Sequence, residues 1–216
     1  MDIVHPDIER YISRSEAQPH PVLRKIEEYA EKRSFPIVGP HVGRLLSLLT
    51  RTSGATQILE LGSGFGYSAF WFALALPKHG RVICTETSRE NRERGLSYLE
   101  EGGLAAKVDY RLQEGLEAAR ELLDQHEEEF DIVFNDIDKE HYGAVPPIAK
   151  RLLRPGGLFI TDNTLWGGRV TAEDRGGTID EATAGVLELN RSTAHDPDFE
   201  TSILPIRDGL TIAVKR

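Results

Sequence analysis

Cysteine, long apolar runs and blocks of positive charge are scarce in this sequence. The one cysteine, Cys84, excludes an intramolecular disulfide and a zinc site built from several thiolates, and is best interpreted as a small buried strand residue. The most apolar stretch, residues 69–76, is far too short to span a bilayer. Residues 1–13 carry acids and lack an apolar core, so no secretory signal is predicted and the cytoplasm is the expected compartment.

The charge balance is acidic, with 26 lysines and arginines against 35 aspartates and glutamates and a net charge of −9. No basic block accompanies this balance, which disfavours a broad nucleic-acid-binding face but leaves a local basic groove open. Hydrophobic residues make up 39% of the chain and charged residues 28%, as in an ordinary globular protein. The length of 216 residues suits a single domain, residues 1–216, with one substantial core.

From about residue 56, short β-branched runs alternate with longer helical patterns. This alternation is typical of a mainly parallel sheet with helices on both faces. Two closing apolar runs on either side of Asp208-Gly209 predict an antiparallel hairpin with a tight turn. Strands are predicted at 56–61, 81–86, 107–112, 130–136, 157–162, 200–206 and 210–216, and helices at 68–77, 88–103, 115–125 and 141–153. This α/β inventory of seven strands is typical of the Rossmann-like class I methyltransferase fold.

Two further segments lie outside the regular alternation. Residues 1–55 are predicted to be mostly helical and to form a cap segment on the core at 56–216, with a loop and an amphipathic helix at 33–49. Residues 165–177, directly after the fifth strand, have no clear periodicity. Open α/β sheets bind ligands at the carboxyl ends of their strands, so both segments are candidates for covering a site there.

The stretch LELGSGFGYS, residues 59–68, follows the first strand and opens a helix. Its glycines, Gly62, Gly64 and Gly66, let the backbone turn sharply and approach a ligand closely. A glycine-rich turn of this kind also occurs in dinucleotide enzymes, whose G-x-G-x-x-G pattern would require glycine where Tyr67 stands.

Two acids next to this turn indicate which nucleotide-like ligand it binds. Glu60 lies inside the first strand, where its carboxylate would repel a pyrophosphate but could bind a cationic amino-acid group directly or through water. Glu86 closes the second strand, at the position where this fold holds ribose hydroxyls. S-adenosylmethionine is therefore favoured over a nicotinamide dinucleotide.

Polar residues also end the fourth and fifth strands. Asp136 ends FDIVFND, and Asp162 and Asn163 follow the fifth strand in TDNTLW. In a methyltransferase-type sheet these strands are neighbours, so the three side chains should meet beside the glycine turn. Two carboxylates and an amide oxygen, without cysteine or a spaced histidine pair, suit Mg²⁺, Ca²⁺ or Mn²⁺. Each stretch alone could instead cap a helix or shape a turn.

Three motifs together resemble the cation-dependent O-methyltransferases, a family that includes the catechol and caffeoyl-CoA types and their bacterial relatives. They are LELGSGFGYS, the D-x-D-K segment in FNDIDKEHY, and DNTLWGGRV, of which the last is the most specific. The similarity runs from about residue 36 to the C-terminus.

The resemblance implies a role for each matching position. Asp136, Asp162 and Asn163 would bind the metal, with Mg²⁺ the leading candidate, and Lys139 would be the general base. Trp166 would border the acceptor together with Lys139. The family resemblance also implies a homodimer. The residues implied in S-adenosylmethionine binding are Val38, Gly39, Glu60, Gly62, Ser63, Gly64, Ser68, Glu86 and Asp138.

The leading hypothesis is metal-dependent methyl transfer to a hydroxyl of a small catechol-like acceptor. A tRNA hydroxyuridine O-methyltransferase of the same family, which the acidic balance disfavours, and a non-catalytic S-adenosylmethionine-binding protein are the alternatives. A nicotinamide dehydrogenase is disfavoured by Glu60 and Tyr67. The base role of Lys139 competes with a simple ion pair, because Asp138 and Glu140 flank it.

Overall fold

Seven strands form one sheet in the computed structural model, which describes residues 3–17 and 20–216. They are β1 (Gln57–Leu61), β2 (Arg81–Glu86), β3 (Val108–Leu112), β4 (Phe130–Asn135), β5 (Leu153–Asp162), β6 (Phe199–Leu204) and β7 (Leu210–Lys215). Their order is β3-β2-β1-β4-β5-β7-β6. Strands β1 to β5 are parallel, and β7 is antiparallel to both β5 and β6.

Helices cover both faces of the sheet. Within the described ranges they are α1 (Pro6–Ser15), α2 (Pro21–Arg33), α3 (Gly39–Thr52), α4 (Tyr67–Ala75), α5 (Arg89–Glu101), α6 (Gly115–Leu123), α7 (Val145–Leu152) and α8 (Glu181–His195). Helices α2 to α5 pack into one apolar core, and α6 to α8 pack into the other on the opposite face. Short 3₁₀ turns at Lys139–Ala144 and Trp166–Thr171 follow β4 and β5.

Strand β4 shows why both faces need cover. All of its residues are buried. Ile132 and Phe134 belong to the first core and Val133 to the second, because successive side chains of a strand point to opposite faces. A strand buried on both sides has a continuous apolar sequence, which explains the FDIVF run.

The predicted fold class is confirmed by the mixed seven-stranded sheet, the closing antiparallel pair and the helices on both faces. The strand predicted at 81–86 has the observed bounds. Helices α1, α2 and α3 lie in the segment where the sequence predicts a helical cap. That residues 1–216 form a single domain stays a prediction.

Three local predictions differ from the structure. Helix α8 has no counterpart among the predicted elements, because Thr183, Gly185 and Thr193 lie on its buried face and dilute its apolar periodicity. Strand β5 begins at Leu153 and not at 157, since the Pro-Gly-Gly run that signals a turn is part of the strand, next to a register shift. The turn between β6 and β7 is a five-residue loop, 205–209, and not a tight Asp-Gly turn.

No helix within residues 3–17 and 20–216 combines the length and the apolar character needed to cross a membrane.

Replacement of Gly185 by alanine tests the packing of α8 against the turn that carries Lys139. A Cβ atom at Gly185 would lie 2.1 Å from the backbone oxygen of Lys139, so α8 would have to move away. We expect G185A to lower the free energy of unfolding by about 1–3 kcal/mol, the usual cost of overpacking, even though alanine favours a helix interior by about 1 kcal/mol. Urea unfolding measures the change.

Gly143 offers a matched control in the same contact. A Cβ atom there would lie 3.0 Å from Cγ of Glu188, a flexible side chain that can move aside. G143A should therefore cost less than G185A. Equal stability of G185A and the wild type would contradict the close approach of α8 to residue 139.

Candidate active site

The carboxyl ends of β1, β4 and β5 bring the predicted site residues together. Leu61 is in register with Asn135, and Asn135 with Thr161, so the residues that follow lie side by side at this edge. A cleft of about 690 Å³ opens at this edge. The predicted site residues that line it are Val38, Gly62, Ser63, Gly64, Ser68, Glu86, Asp136, Asp138, Lys139, Asp162, Asn163 and Trp166.

The glycine turn packs directly against the end of β4. Gly62 has φ 82°, and a Cβ atom on it would lie 2.5 Å from the backbone oxygen of Asp136. Only glycine accepts both the left-handed backbone and this approach. The Ser63 N–H donates to the Thr85 carbonyl over 2.8 Å, which fixes the turn against β2. The turn and the acidic strand end thus form a continuous cleft floor.

Glu60 lies beneath the turn and is fully buried. The Ser68 hydroxyl donates to its Oε1, while Oε2 has no hydrogen-bond partner in the described part of the chain. Burial raises the pKa of Glu60 to about 8, against the opposing effect of the hydrogen bond from Ser68. A buried acid with an open oxygen is suited to bind a cationic group.

The other predicted cofactor residues surround this point in different ways. Glu86 lines the cleft and accepts a hydrogen bond from the Ser88 N–H over 2.7 Å. Asp138 lines the cleft from an exposed position. Gly39, in contrast, lines a neighbouring pocket, where its Cα faces the guanidinium of Arg207.

The predicted metal ligands meet at the cleft floor. The Asp162 side chain is buried and that of Asp136 is 24% exposed. Burial, and then the neighbouring carboxylate of Asp136, raises the pKa of Asp162 to about 7. Burial also raises the pKa of Asp136 above its ordinary value, although the charge of Lys139 opposes the shift. Asn163 has a left-handed backbone with φ 57°.

This donor set fits a hard divalent cation. Oδ1 of Asp162 is buried and has no hydrogen-bond partner among the described residues, and the mutual repulsion of the two carboxylates is what a cation would relieve. Over the same residues, no group of three or more His, Cys, Asp and Glu side chains is arranged to hold a metal. The set reaches three donors only with the amide of Asn163.

Lys139 is paired differently from the sequence-based expectation. Its Nζ donates to Oδ1 of Asp136 over 2.8 Å and to the Ile137 carbonyl over 3.1 Å, so its partner is not Asp138 or Glu140. The 3₁₀ turn after β4 curls the lysine back onto the residue three positions earlier. Its side chain is 13% exposed and faces the cleft.

Trp166 borders the cleft at the start of the segment that follows β5. Two cations lie over its ring, with the Arg169 guanidinium 4.0 Å and Lys139 Nζ 5.9 Å from the ring centroid. Its backbone has φ 48°, and the next two residues, Gly167 and Gly168, are also left-handed. These contacts hold an aromatic surface at the mouth of the cleft.

Asp131, at the opposite edge of the sheet, is a carboxylate whose hydrogen bonds are supplied by the protein. Asp131 accepts hydrogen bonds from the backbone of Thr56 and Gln57 and from Arg154. Burial tends to raise its pKa, but these bonds outweigh burial and leave the pKa below its ordinary value. Glu60 and Asp162, in contrast, each keep one buried oxygen without a hydrogen-bond partner among the described residues, and their pKa values are raised.

Sequence reasoning missed two residues of the 205–209 loop, Asp208 at the cleft and Arg207 at the neighbouring pocket. Asp208, interpreted only as a turn residue, lines the cleft and accepts a hydrogen bond from Asn163 Nδ2 over 3.4 Å. Arg207 donates to the Ile37 carbonyl over 2.6 Å and so links the loop before β7 to the loop before α3. The only sequence signal was their place in the turn predicted at Asp208-Gly209, between the two closing strands.

The chain matches an established family over most of its length. Residues 13–216 match the family model described as O-methyltransferase. Tricin synthase 2 from Oryza sativa subsp. japonica is 37% identical over 179 residues, which are 80% of this chain but 61% of that relative, less than two thirds of its length. Caffeoyl-CoA O-methyltransferase 1 from Eucalyptus globulus is 33% identical over 201 residues, 90% of this chain and 81% of that relative.

A solved structure shares the whole fold. The O-methyltransferase TomG from Streptomyces achromogenes, involved in tomaymycin synthesis and solved in complex with S-adenosylmethionine, has a TM-score of 0.87 and 30% identity. The similarity covers 97% of this chain and 96% of TomG. With the glycine turn, the buried acid beneath it and the polar strand ends, these matches show that the chain belongs to the S-adenosylmethionine-dependent O-methyltransferase family.

Proposed function

We propose that the protein transfers a methyl group from S-adenosylmethionine to one hydroxyl of a small acceptor with two vicinal hydroxyls, and that the reaction depends on a divalent cation. The observation that carries the proposal is the meeting of Asp136, Asp162 and Asn163 at the floor of the cleft, beside the glycine turn. Relatives named for caffeoyl-CoA support a small phenolic acceptor. Homodimerisation and a cytoplasmic location stay predictions from the family resemblance and the sequence.

In the proposal, the cofactor end of the cleft is formed by the glycine turn and by two acidic residues. The backbone of Gly62, Ser63 and Gly64 leaves space for close approach, and Glu60 supplies a carboxylate for the cationic amino-acid end. Glu86 ends β2 with a second acid, suited to ribose hydroxyls. In the proposal Val38, Ser68 and Asp138 complete the binding surface, and Gly39 acts by keeping the adjacent loop close to Arg207.

The cation would be held by Asp136, Asp162 and Asn163, whose oxygens are donors that Mg²⁺ favours, and Ca²⁺ or Mn²⁺ would suit them as well. When bound, such a cation orients the vicinal hydroxyls of the acceptor and lowers the pKa of the reacting one. The chain contributes one buried carboxylate, Asp162, and one partly exposed carboxylate, Asp136, at the floor of the cleft.

Lys139 and Trp166 would act on the acceptor itself. The Lys139 Nζ atom lies within hydrogen-bonding distance of Asp136, so it can reach a hydroxyl bound at the same carboxylate. As an ammonium it has no free lone pair, and it therefore accepts the proton at Nζ only when it enters the reaction neutral. Trp166 offers its ring edge as a wall for an aromatic acceptor.

Removal of the cation should stop the reaction. We expect methyl transfer to a panel of vicinal diphenols to be lost on treatment with EDTA and restored by Mg²⁺. Asp136→Ala should reduce the rate about 10³-fold or more, because a Lewis acid contributes several kcal/mol to transition-state stabilisation. Affinity for S-adenosylhomocysteine should change little, since Asp136 lies on the cation side.

Asp198→Ala is the matched control, because Asp198 is exposed and pairs with Lys150 away from the cleft. It should retain wild-type activity and EDTA sensitivity. Full activity after complete chelation would refute the cation dependence.

Replacement of Lys139 separates the base from the ion pair. If Lys139 takes the acceptor proton, Lys139→Met should lower kcat by about 10²–10⁴-fold, the usual contribution of a general base. Lys150→Met removes a lysine that also pairs with aspartates, Asp196 and Asp198, and should leave kcat unchanged. A kcat for K139M within a few-fold of the wild type would reduce Lys139 to an ion-pair role.

The raised pKa of Glu60 predicts that cofactor binding depends on pH. Its pKa of about 8 means that it is largely protonated near neutrality, whereas a cationic ligand group favours the carboxylate. Binding of S-adenosylhomocysteine should therefore release a proton, and its affinity should rise by up to about tenfold per pH unit below pH 8. Calorimetric titration at several pH values measures the slope, and Glu60→Gln should reduce it.

Stability without ligand should show the opposite slope. Because the folded pKa of Glu60 is raised above its ordinary value of 4.5, the folded state retains a proton that the unfolded state loses, and stability falls as the pH rises from 4.5 through about 8. The loss between those limits should be smaller in E60Q. Identical pH profiles for both proteins in both measurements would contradict the raised pKa.

A further inference from the structure

The 205–209 loop between β6 and β7 is fastened to the segment that carries Asn163. The Leu165 N–H donates to the Asp208 carbonyl over 2.8 Å, and the Thr164 N–H donates to the Gly209 carbonyl over 3.1 Å. Gly209 has φ 89°, and a Cβ atom on it would lie 2.6 Å from the backbone nitrogen of Leu165. The two backbones therefore meet without space for a side chain between them.

The side chain of Asp208 uses this proximity to contact two groups at the site. Its Oδ1 accepts a hydrogen bond from the Gly167 N–H, and its Oδ2 accepts from Asn163 Nδ2 over 3.4 Å. Asn163 follows the last residue of β5, and Gly167 follows Trp166. One carboxylate thus contacts both the predicted amide ligand and the turn that holds the aromatic wall.

The contact with Asn163 determines which end of the amide faces the cleft. A carboxylate only accepts hydrogen bonds, so it selects the orientation in which the amide presents NH₂ to Asp208 and leaves the oxygen free. A cation binds an amide only through that oxygen. Without the Asp208 carboxylate, this hydrogen bond would no longer favour one orientation of the Asn163 amide over the other.

We propose that Asp208 is a positioning residue that aims the amide oxygen of Asn163 at the cation site and holds the Trp166 turn beside it. This inference rests on the proposed cation dependence. Asp208 also carries a negative charge near the site, and that charge alone could favour a cation. Asp208→Glu separates the orientation of the Asn163 amide from the effect of the negative charge, because it keeps the charge and moves the carboxylate by one methylene.

The probe is Mn²⁺ added to the whole chain, with free Mn²⁺ measured by electron paramagnetic resonance. We expect Asp208→Asn to weaken Mn²⁺ binding by about 10–100-fold, as the loss of a group that orients a metal ligand commonly does. Asp208→Glu should be weakened to a similar degree. Glu200→Gln removes the same charge at the opposite end of the hairpin, where Glu200 is exposed, and should bind like the wild type.

A double-mutant cycle with Asn163→Ala tests the route of the effect. If Asp208 acts by aiming Asn163, D208N should cost little further Mn²⁺ affinity once the amide is removed. Simple addition of the two losses would overturn the proposal. Thermal unfolding and affinity for S-adenosylhomocysteine show that each variant retains its fold.

The outcomes distinguish this inference from the proposed function. Equal and negligible Mn²⁺ binding by the wild type and D136A would overturn the cation site and the role of Asp208 with it. Tight binding by the wild type, loss in D136A and wild-type binding in D208N would overturn the positioning role alone. Loss in D208N with full binding in D208E would assign the effect to charge, and would also overturn it.

Discussion

The parallel pairing of β4 between β1 and β5 is the constraint on which the rest of the site depends. Because the strand ends are in register, Gly62, Asp136 and Asp162 lie at the same level along the sheet. A slip of β4 by one residue would exchange its two faces, burying the residues of one core in the other. The apolar packing of β4 on both faces therefore fixes the spacing of the polar residues that follow it.

Much of the fold, and the meeting of the acidic strand ends, can be predicted from the sequence because the signals are local. Apolar runs and glycine turns mark the strands, and the strand order of one fold type then places Asp136 next to Asp162. Helix α8 could not be predicted in this way. Its buried face contains Thr183, Gly185 and Thr193, which weaken the hydrophobic periodicity, and Gly185 lies against the backbone of Lys139 in the turn after β4.

The partners of polar side chains are harder to predict, since they depend on turns and on distant chain segments. Lys139 is flanked in sequence by two acids, yet the 3₁₀ turn directs it to Asp136. Asp208 contacts Asn163, and Arg207 contacts Ile37. The partners in each pair lie far apart in the sequence, and no local pattern predicts these contacts. Asp208 contacts the segment after β5 and Arg207 contacts the loop before α3, so one loop supports two segments at the cleft.

The close approach of Gly62 to the backbone of Asp136 has a consequence for how such a protein can diversify. A larger residue at position 62 would need a simultaneous shift of the end of β4. Substitution of Gly62 is therefore tolerated only together with a change in the backbone at Asp136. We therefore expect changes in acceptor specificity to arise from substitutions in segments outside the contact between Gly62 and Asp136. Trp166 of the stretch at 165–177 borders the cleft, and α1, which has no buried residue, borders the neighbouring pocket, so exposed positions there can change without disturbing the sheet.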